Sequence, residues 1–194
     1  GCFDALFLSE IPGFTVLCPS NFSEMRSMLR QAVLAVTGPA AVRYPRGGEG
    51  AFQEDTSAEP VVCLRQGSAV TLLAYGLMVN NALEAAELLH ERHGIEARVL
   101  KLNRIAPLDM DLLSPWFQGG EILAVPEDAF GAGCVGQRVA AILAEHEIAP
   151  RRLILKNLGM TFATEGSVSQ LEHSFGLDAA GIAAAVWEAA GHEQ

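Results

Sequence analysis

A short apolar run followed by a helical stripe of apolar residues opens the pattern of the chain. Residues 14–18 form the run, and Pro19 ends it, which predicts a buried strand. Ser20 is a good helix N-cap, and apolar residues recur after it at helical spacing: Phe22, Met25, Leu29, Ala32, Val33 and Val36. Gly38 predicts the end of this helix, and residues 39–44 favour a second strand. About fifty residues bury too little surface to be stable alone, so we expect this strand-helix-strand unit to belong to a larger α/β sheet.

Two stretches of the chain lack a clear period. Residues 1–10 show neither helical nor strand spacing, and we expect the apolar side chains between Phe3 and Leu8 to face a part of the protein outside this chain. Because Gly1 is not an initiator Met, we interpret the chain as a piece of a longer protein. Residues 49–61 are acidic and include Gly, Ser, Thr and Pro, which predicts a linker.

The rest of the chain alternates apolar runs with helical stripes. Residues 69–75 form an apolar run of the kind found in strands that are buried on both faces of a sheet. Further strands are predicted at 95–102, 121–125 and 152–156, and helices at 79–93, 109–116, 135–146, 167–173 and 178–190. This alternation predicts the α/β class, with a three-layer αβα domain in which helices cover both faces of a sheet. The predicted division is therefore residues 1–48, a linker at 49–61, and a second domain at 62–194.

Composition and charge narrow the classes of partner. The chain has 194 residues, of which 50% are hydrophobic, and a net charge of -10. These values indicate a packed globular protein and argue against a surface for nucleic acid or anionic membranes, so an anionic substrate requires a local positive pocket. The four cysteines form no Cys-x-x-Cys pair, and no signal peptide or membrane-spanning apolar run is evident. We therefore predict reduced thiols and a cytoplasmic location.

Two arginines lie where the second predicted strand ends. Arg43 belongs to that strand, whereas Pro45 and Gly47 break its regularity and place Arg46 on a strand-end loop. The planar guanidinium fork is suited to bidentate recognition of phosphate or carboxylate, and strand-end loops are common ligand sites. The alternative is that both arginines are ordinary surface or salt-bridge residues.

A glycine pattern lies between a predicted strand and a predicted helix. Gly131, Gly133 and Gly136 match the Gly-x-Gly-x-x-Gly pattern of dinucleotide-binding folds. Five residues separate the strand from the first glycine, and Lys156 and Asn157 stand where a ribose-binding acid is expected. Close packing of the chain is the alternative role for these glycines.

Two polar pairs are further candidates. His90 and His93 are one helical turn apart, which is suitable for a metal, but no third ligand is evident and solvated histidines are the alternative. Glu127 and Asp128 follow a predicted strand and form either a site or interface pair or a solvated loop. We assign no metal-binding residue in this chain.

Short motifs occur in a characteristic order along the whole chain. They are GCFD from residue 1, RYPRG from residue 43, LAYG from residue 73, APLD from residue 106, EDAFG from residue 127 and GLDAAGI from residue 176. In these motifs the chain resembles the 1-deoxy-D-xylulose-5-phosphate synthase family. RYPRG is fairly specific, whereas transketolases and 2-oxoacid dehydrogenase β-subunits share the shorter motifs. Pro126, where the family often has a second Glu, and Glu165, where it has His or Gln, depart from the pattern.

The resemblance implies a thiamine-diphosphate enzyme that decarboxylates pyruvate and transfers the two-carbon unit to glyceraldehyde 3-phosphate, for isoprenoid, thiamine and pyridoxal synthesis. It also implies that residues 1–48 are the end of a pyrimidine-binding domain and that residues 62–194 are a transketolase C-terminal-type domain. Arg46 matches the family arginine that binds the phosphate of the acceptor, with Arg43 and Tyr44 as candidate supporting residues.

The family's segment for diphosphate and magnesium, and its cofactor-activating Glu, have no counterpart in this chain. The resemblance therefore implies thiamine diphosphate and Mg²⁺ in a full-length homodimer, but no catalytic or cofactor-binding residue here. We predict that the isolated chain is inactive and binds no thiamine diphosphate tightly.

Three alternatives stay open. The first alternative is the matching part of a transketolase or 2-oxoacid dehydrogenase β-subunit, and the RYPRG motif argues against it. The second is a non-catalytic dimerisation module that retained the fold. The third is a nucleotide-binding oxidoreductase, an interpretation that rests on Gly131, Gly133 and Gly136 alone.

Overall fold

The computed structural model describes residues 2–45, 47–163 and 165–191, which form eight strands and seven helices. The strands are β1 (Thr15–Leu17), β2 (Ala40–Val42), β3 (Val61–Arg65), β4 (Val70–Tyr75), β5 (Ala97–Leu102), β6 (Arg104–Ala106), β7 (Ile122–Pro126) and β8 (Arg152–Lys156). The helices are α1 (Asp4–Ser9), α2 (Phe22–Leu34), α3 (Met78–His93), α4 (Met110–Leu113), α5 (Val135–Glu145), α6 (Val168–Phe175) and α7 (Ala179–Ala189). The predicted α/β class is confirmed. Within these residues, no helix has the length and apolar character needed to cross a membrane.

The smaller sheet contains three strands in the order β2-β1-β6. Strands β1 and β2 are parallel and are connected by α2, which confirms the predicted strand-helix-strand unit. The N-cap of α2 is Asn21, one residue after the predicted Ser20. Strand β6 pairs antiparallel with β1, with Ala106 opposite Val16. The sequence did not predict β6, because it follows β5 after a single residue and forms no separate apolar run.

The larger sheet has the order β3-β5-β4-β7-β8, with β3 antiparallel at one edge and four parallel strands beside it. All six residues of β4 are buried, and its side chains alternate between the two faces of the sheet. Val70, Leu72 and Ala74 pack with α3 and α7, whereas Leu73 and Tyr75 pack with α5. Helices therefore cover both faces of this sheet.

Residues 49–60, which we call the connecting segment, contain no helix or strand but are tied to both sides of the fold. The Asn21 side-chain amide donates to the Glu54 carbonyl over 2.8 Å. The backbone N–H of Phe52 donates to Asn80 Oδ1 over 2.9 Å. The segment thus packs against α2 and α3, and the predicted division of the chain into domains stays a prediction.

Helix α1 is an element that the sequence did not predict. Its six residues span fewer than two turns, too few to show a helical period. Ala5 is buried, whereas Phe3 is 40% and Phe7 54% exposed. The expectation that these apolar side chains face a part of the protein outside this chain stays a prediction.

Candidate functional site

Three strand ends come together on one side of the molecule. Arg43 follows β2, Tyr75 ends β4, and Asp128 follows β7. The guanidinium group of Arg43 lies 3.0 Å from Asp128 Oδ1 and 5.6 Å from the centre of the Tyr75 ring. These positions are the carboxyl ends of parallel strands, where α/β folds bind their ligands. We call these three residues, together with Asp4, the Arg43 cluster.

Arg43 is the centre of this cluster, and its side chain is only 11% exposed. Its Nε donates to Asp4 Oδ1 over 3.0 Å, and its backbone N–H donates to the Leu17 carbonyl over 2.7 Å. Burial by itself lowers the pKa of this guanidinium, but the nearby charges, led by Asp128, outweigh burial and the pKa is raised. Arg43 therefore carries a fixed positive charge that two carboxylates hold in place.

The loop after β2 borders two cavities. The first, of about 270 Å³, lies at the N-terminus of α2 and is lined by Pro19, Ser20, Asn21, Phe22, Met25, Tyr44, Pro45, Gly47, Gly48, Glu49 and Leu77. The second, of about 370 Å³, shares Tyr44 and Pro45 with the first and also borders the Arg43 cluster. Arg46, the predicted phosphate ligand, lies outside the described residues. Its two neighbours in the sequence both line the first cavity.

The first cavity has few polar groups in its wall. The Glu49 carboxylate accepts a hydrogen bond from the backbone N–H of Phe22 over 2.7 Å, at the N-terminus of α2. The hydroxyl group of Ser20 is buried and has no hydrogen-bond partner among the described residues. A buried hydroxyl without a partner is uncommon in folded proteins, and it offers a free hydrogen-bonding group beside the loop.

Glu127 is completely buried, and its carboxylate binds the first two backbone N–H groups of α5. Its carboxylate accepts hydrogen bonds from the Tyr75 hydroxyl (2.9 Å), the Val135 N–H (3.0 Å) and the Gly136 N–H (2.9 Å). Burial raises the pKa of Glu127, and these hydrogen bonds oppose part of the rise. A carboxylate of the protein thus takes the helix N-terminus that a diphosphate occupies in dinucleotide-binding folds.

The glycine pattern serves close packing around this cap. A Cβ atom at Gly136 would lie 2.5 Å from Leu155 Cδ2 and 3.1 Å from Val125 Cβ, so a larger residue would require side chains of β7 and β8 or the helix itself to move. The described residues therefore support the packing interpretation of these glycines and give no support to nucleotide binding. The solvated-loop alternative for Glu127 is wrong, because its side chain is buried and hydrogen-bonded.

His90 and His93 have separate partners. His90 Nδ1 lies 2.6 Å from Glu96 Oε1, and the His93 ring stacks on Trp187 of α7 with ring centroids 3.8 Å apart. Across residues 2–45, 47–163 and 165–191, no group of three or more His, Cys, Asp or Glu side chains is arranged to hold a metal. The two imidazoles therefore act separately: His90 makes a polar contact with Glu96, and His93 packs α3 against α7.

The sequence offered Asp128 as a candidate, but it did not predict that Asp128, Asp4 and Tyr75 meet at Arg43, because they are far from it along the chain. Asp4 is 39 residues away, and Tyr75 and Asp128 belong to other strand ends. A signal was nevertheless present. The motifs GCFD, LAYG and EDAFG each contain one member of the Arg43 cluster, and RYPRG contains its centre.

Comparison with known proteins gives a consistent family. Residues 60–182 match the family described as transketolase, C-terminal domain. The chain is 37% identical over 195 aligned positions to the 1-deoxy-D-xylulose-5-phosphate synthase of Chlorobium luteolum, an alignment that covers 97% of the chain and 30% of that enzyme. It is 40% identical over 194 positions to the same enzyme of Thiobacillus denitrificans, again with 97% and 30% coverage. The chain thus spans about 30% of the length of these curated relatives.

Solved structures agree with the sequence relatives. A split-gene transketolase, described as an inactive β4 tetramer, has a TM-score of 0.80 and 28% identity, covering 100% of this chain and 62% of that one. A Pichia stipitis transketolase in complex with fructose 6-phosphate has a TM-score of 0.76 and 16% identity, covering 98% and 27%, and this likeness shows the fold alone. The chain therefore belongs to the transketolase C-terminal domain family, and the relatives that match 97% of its length are 1-deoxy-D-xylulose-5-phosphate synthases.

Proposed function

We propose that this chain is the C-terminal part of a 1-deoxy-D-xylulose-5-phosphate synthase. The observation that carries the proposal is the match of 97% of the chain to two such synthases at 37% and 40% identity. The RYPRG run supports the same family. A split-gene transketolase aligns with the whole chain at the lower identity of 28%, which makes transketolase the second candidate.

In the proposed reaction pyruvate loses its carboxylate as CO₂, and its remaining two carbons form a carbon–carbon bond with the aldehyde carbon of glyceraldehyde 3-phosphate. Thiamine diphosphate, bound with Mg²⁺, supplies the carbanion stabilisation for this chemistry. The described residues do not fit this cofactor, because no cluster among them is arranged to hold a metal and Glu127 fills the N-terminus of α5. We therefore assign the cofactor to the rest of the enzyme and no catalytic step to this chain.

We assign the binding of the acceptor's phosphate group to Arg46. A guanidinium fork binds a phosphate dianion through paired, charge-assisted hydrogen bonds, and this contact orients the aldehyde. Three features of the neighbourhood support the assignment: the loop borders two cavities, it lies at the carboxyl ends of parallel strands, and the buried Ser20 hydroxyl beside it lacks a partner among the described residues. Arg43 is held by Asp4 and Asp128 and supports the loop instead.

The isolated chain is inactive on this proposal, and the full-length enzyme is a cytoplasmic homodimer. The split-gene transketolase that resembles the chain is itself described as an inactive β4 tetramer. The chain spans about 30% of its curated relatives, so the larger part of the enzyme lies elsewhere. Calorimetry of the isolated chain with thiamine diphosphate and Mg²⁺ should show no saturable binding, and turnover by the chain alone would contradict the assignment.

Release of CO₂ from pyruvate by the full-length enzyme, with and without glyceraldehyde 3-phosphate, tests the reaction. We expect the acceptor to stimulate release, and Arg46→Ala to raise the KM for the acceptor by about tenfold or more with little change in the KM for pyruvate. Arg30→Ala is the matched control, since it removes an exposed arginine that lines neither cavity. An enzyme that ignores the acceptor contradicts the proposal, and one that uses a ketose phosphate as donor is a transketolase.

A further inference from the structure

The ion pair between Arg43 and Asp128 connects the transketolase C-terminal domain to the loop that carries Arg46. Asp128 lies within residues 60–182, which match that domain, whereas Arg43 lies before them. Their charged groups are 3.0 Å apart, and the two side chains are 11% and 46% exposed. The pair is therefore shielded on the arginine side and is stronger than a fully solvated ion pair.

Arg43 is also held by three other elements. Its Nε donates to Asp4 of α1, its backbone N–H donates to Leu17 of β1, and its guanidinium lies above the Tyr75 ring of β4. Each contact constrains a different part of the residue. The end of β2 therefore has little freedom to move relative to the larger sheet.

The residues that follow Arg43 are stiff as well. Pro45 fixes its own φ angle and restricts the backbone of Tyr44. A fixed Arg43 and a stiff Tyr44-Pro45 pair together determine the direction in which the loop leaves β2. Tyr44 and Pro45 each border both cavities.

We propose that Arg43 and Asp128 form a positioning pair for the phosphate of the acceptor, through which the transketolase C-terminal domain orients the loop that carries Arg46. This inference rests on the proposed function. On this proposal the pair acts through the loop, because the Arg43 guanidinium is already bound by the Asp4 and Asp128 carboxylates. The C-terminal domain thus contributes to acceptor binding without a catalytic residue of its own.

The test compares two acceptors in the full-length enzyme, glyceraldehyde 3-phosphate and D-glyceraldehyde, which lacks the phosphate. Asp128→Asn keeps the size of the side chain and removes its charge. We expect it to raise the KM for glyceraldehyde 3-phosphate about tenfold, with a change of less than about twofold for D-glyceraldehyde. Asp128→Glu, which retains the charge, should restore part of the ratio of the two KM values.

Two controls separate positioning from general stability. Glu87→Gln removes the exposed 3.0 Å ion pair with Arg65, lines neither cavity, and should leave the KM ratio unchanged. In an Arg46→Ala background, Asp128→Asn should have little further effect, because both changes act on one contact. An equal rise of the KM for both acceptors, or a lower Tm with an unchanged KM ratio, would make the pair merely structural and overturn the inference.

The Arg46→Ala variant alone distinguishes the inference from the proposed function. If it leaves the KM ratio unchanged while Asp128→Asn alters the ratio, the Arg46 assignment is wrong, and the pair positions the loop for a different phosphate-binding residue. If Arg46→Ala alters the ratio and Asp128→Asn does not, the phosphate assignment stands and the positioning pair is wrong. If neither variant alters the ratio, both are wrong.

Discussion

The carboxylate of Glu24 lies 2.7 Å from the ammonium group of Lys101, and neither side chain is exposed to solvent. Glu24 belongs to α2 and Lys101 to β5, so the pair joins the helix that connects β1 and β2 to the larger sheet. Thr56 of the connecting segment donates to the same carboxylate from its N–H (3.1 Å) and its hydroxyl (2.7 Å). Burial lowers the pKa of Lys101, and the attraction of Glu24 opposes this shift. Each of the two charges therefore depends on the other to remain buried.

We expect Lys101→Met to lower the free energy of unfolding by about 3–5 kcal/mol, because it leaves the Glu24 carboxylate buried without its counter-charge. The double variant Glu24→Gln with Lys101→Met removes both charges and should recover much of this loss. Urea unfolding followed by circular dichroism gives the free energy of unfolding of the wild type, the single variant and the double variant.

An exposed ion pair provides the matched control for this prediction. Arg65 and Glu87 are 3.0 Å apart, but the Glu87 side chain is 62% exposed. Glu87→Gln should therefore cost less than about 1 kcal/mol. Equal losses from Lys101→Met and Glu87→Gln would show that burial does not strengthen the Glu24 pair.

Helix α2 shows how far the sequence predicts the fold. Its existence and approximate bounds follow from the cap and the apolar spacing, and the structure confirms them. The apolar stripe is not the buried face, however. Phe22 and Val33 are 50% and 78% exposed, whereas Glu24 and Met28 are completely buried. Spacing identifies a helix, but which face is buried depends on neighbours that are distant in the sequence.

The same limit applies to charged residues. Lys101 interrupts an apolar strand, and a buried charge requires a partner. Its partner Glu24 is 77 residues away, and nothing local identifies it. The Arg43 cluster is similar, since its position at a strand end follows from the sequence, whereas its carboxylate partners follow only from the way the two sheets are arranged.

Gly136→Ala should destabilise the protein by about 1–3 kcal/mol, because the added Cβ would lie 2.5 Å from Leu155 Cδ2 and 3.1 Å from Val125 Cβ, so the Leu155 side chain or α5 would have to move. Gly48→Ala is the control, since a Cβ there meets no atom within 4 Å. Urea unfolding of both variants gives the comparison. A loss no larger than that of Gly48→Ala would contradict the packing role.

The ionised Asp178 carboxylate should stabilise the fold, and this contribution should disappear at acidic pH. Its Oδ1 accepts from the Gly181 N–H over 2.9 Å, which caps α7, and its Oδ2 lies 2.7 Å from His173 Nδ1. Burial raises the pKa of Asp178, but the contacts with His173 and Gly181 outweigh burial and hold it below its usual 3.8. The contribution is therefore present above pH 3.8 and is lost as pH falls through the folded-state pKa.

Asp178→Asn, which retains a capping side chain without the charge, measures this contribution. The difference in unfolding free energy between wild type and variant should shrink as pH is lowered from 6 through ~3. Urea unfolding at several pH values supplies the curve. A difference that grows on acidification would have the wrong sign.

Glu127 should show the opposite pH dependence, although it also caps a helix. Its pKa is raised above the usual 4.5, chiefly by burial, so the folded state binds the proton more tightly than the unfolded chain does. The stability gained from this proton is complete below pH 4.5 and is lost as pH rises through the folded-state pKa. Glu127→Gln removes the titrating group and keeps an acceptor for the Tyr75 hydroxyl.

The unfolding free energy of wild type relative to Glu127→Gln should therefore fall as pH rises from ~4 and level off above the folded-state pKa. Asp178→Asn in the same pH series is the internal control, because its curve should slope the other way. Parallel curves for the two variants would mean that the amides of α5 stabilise the Glu127 carboxylate more than burial destabilises it. The N-terminus of α5 would then be strong enough to hold a full negative charge without solvent.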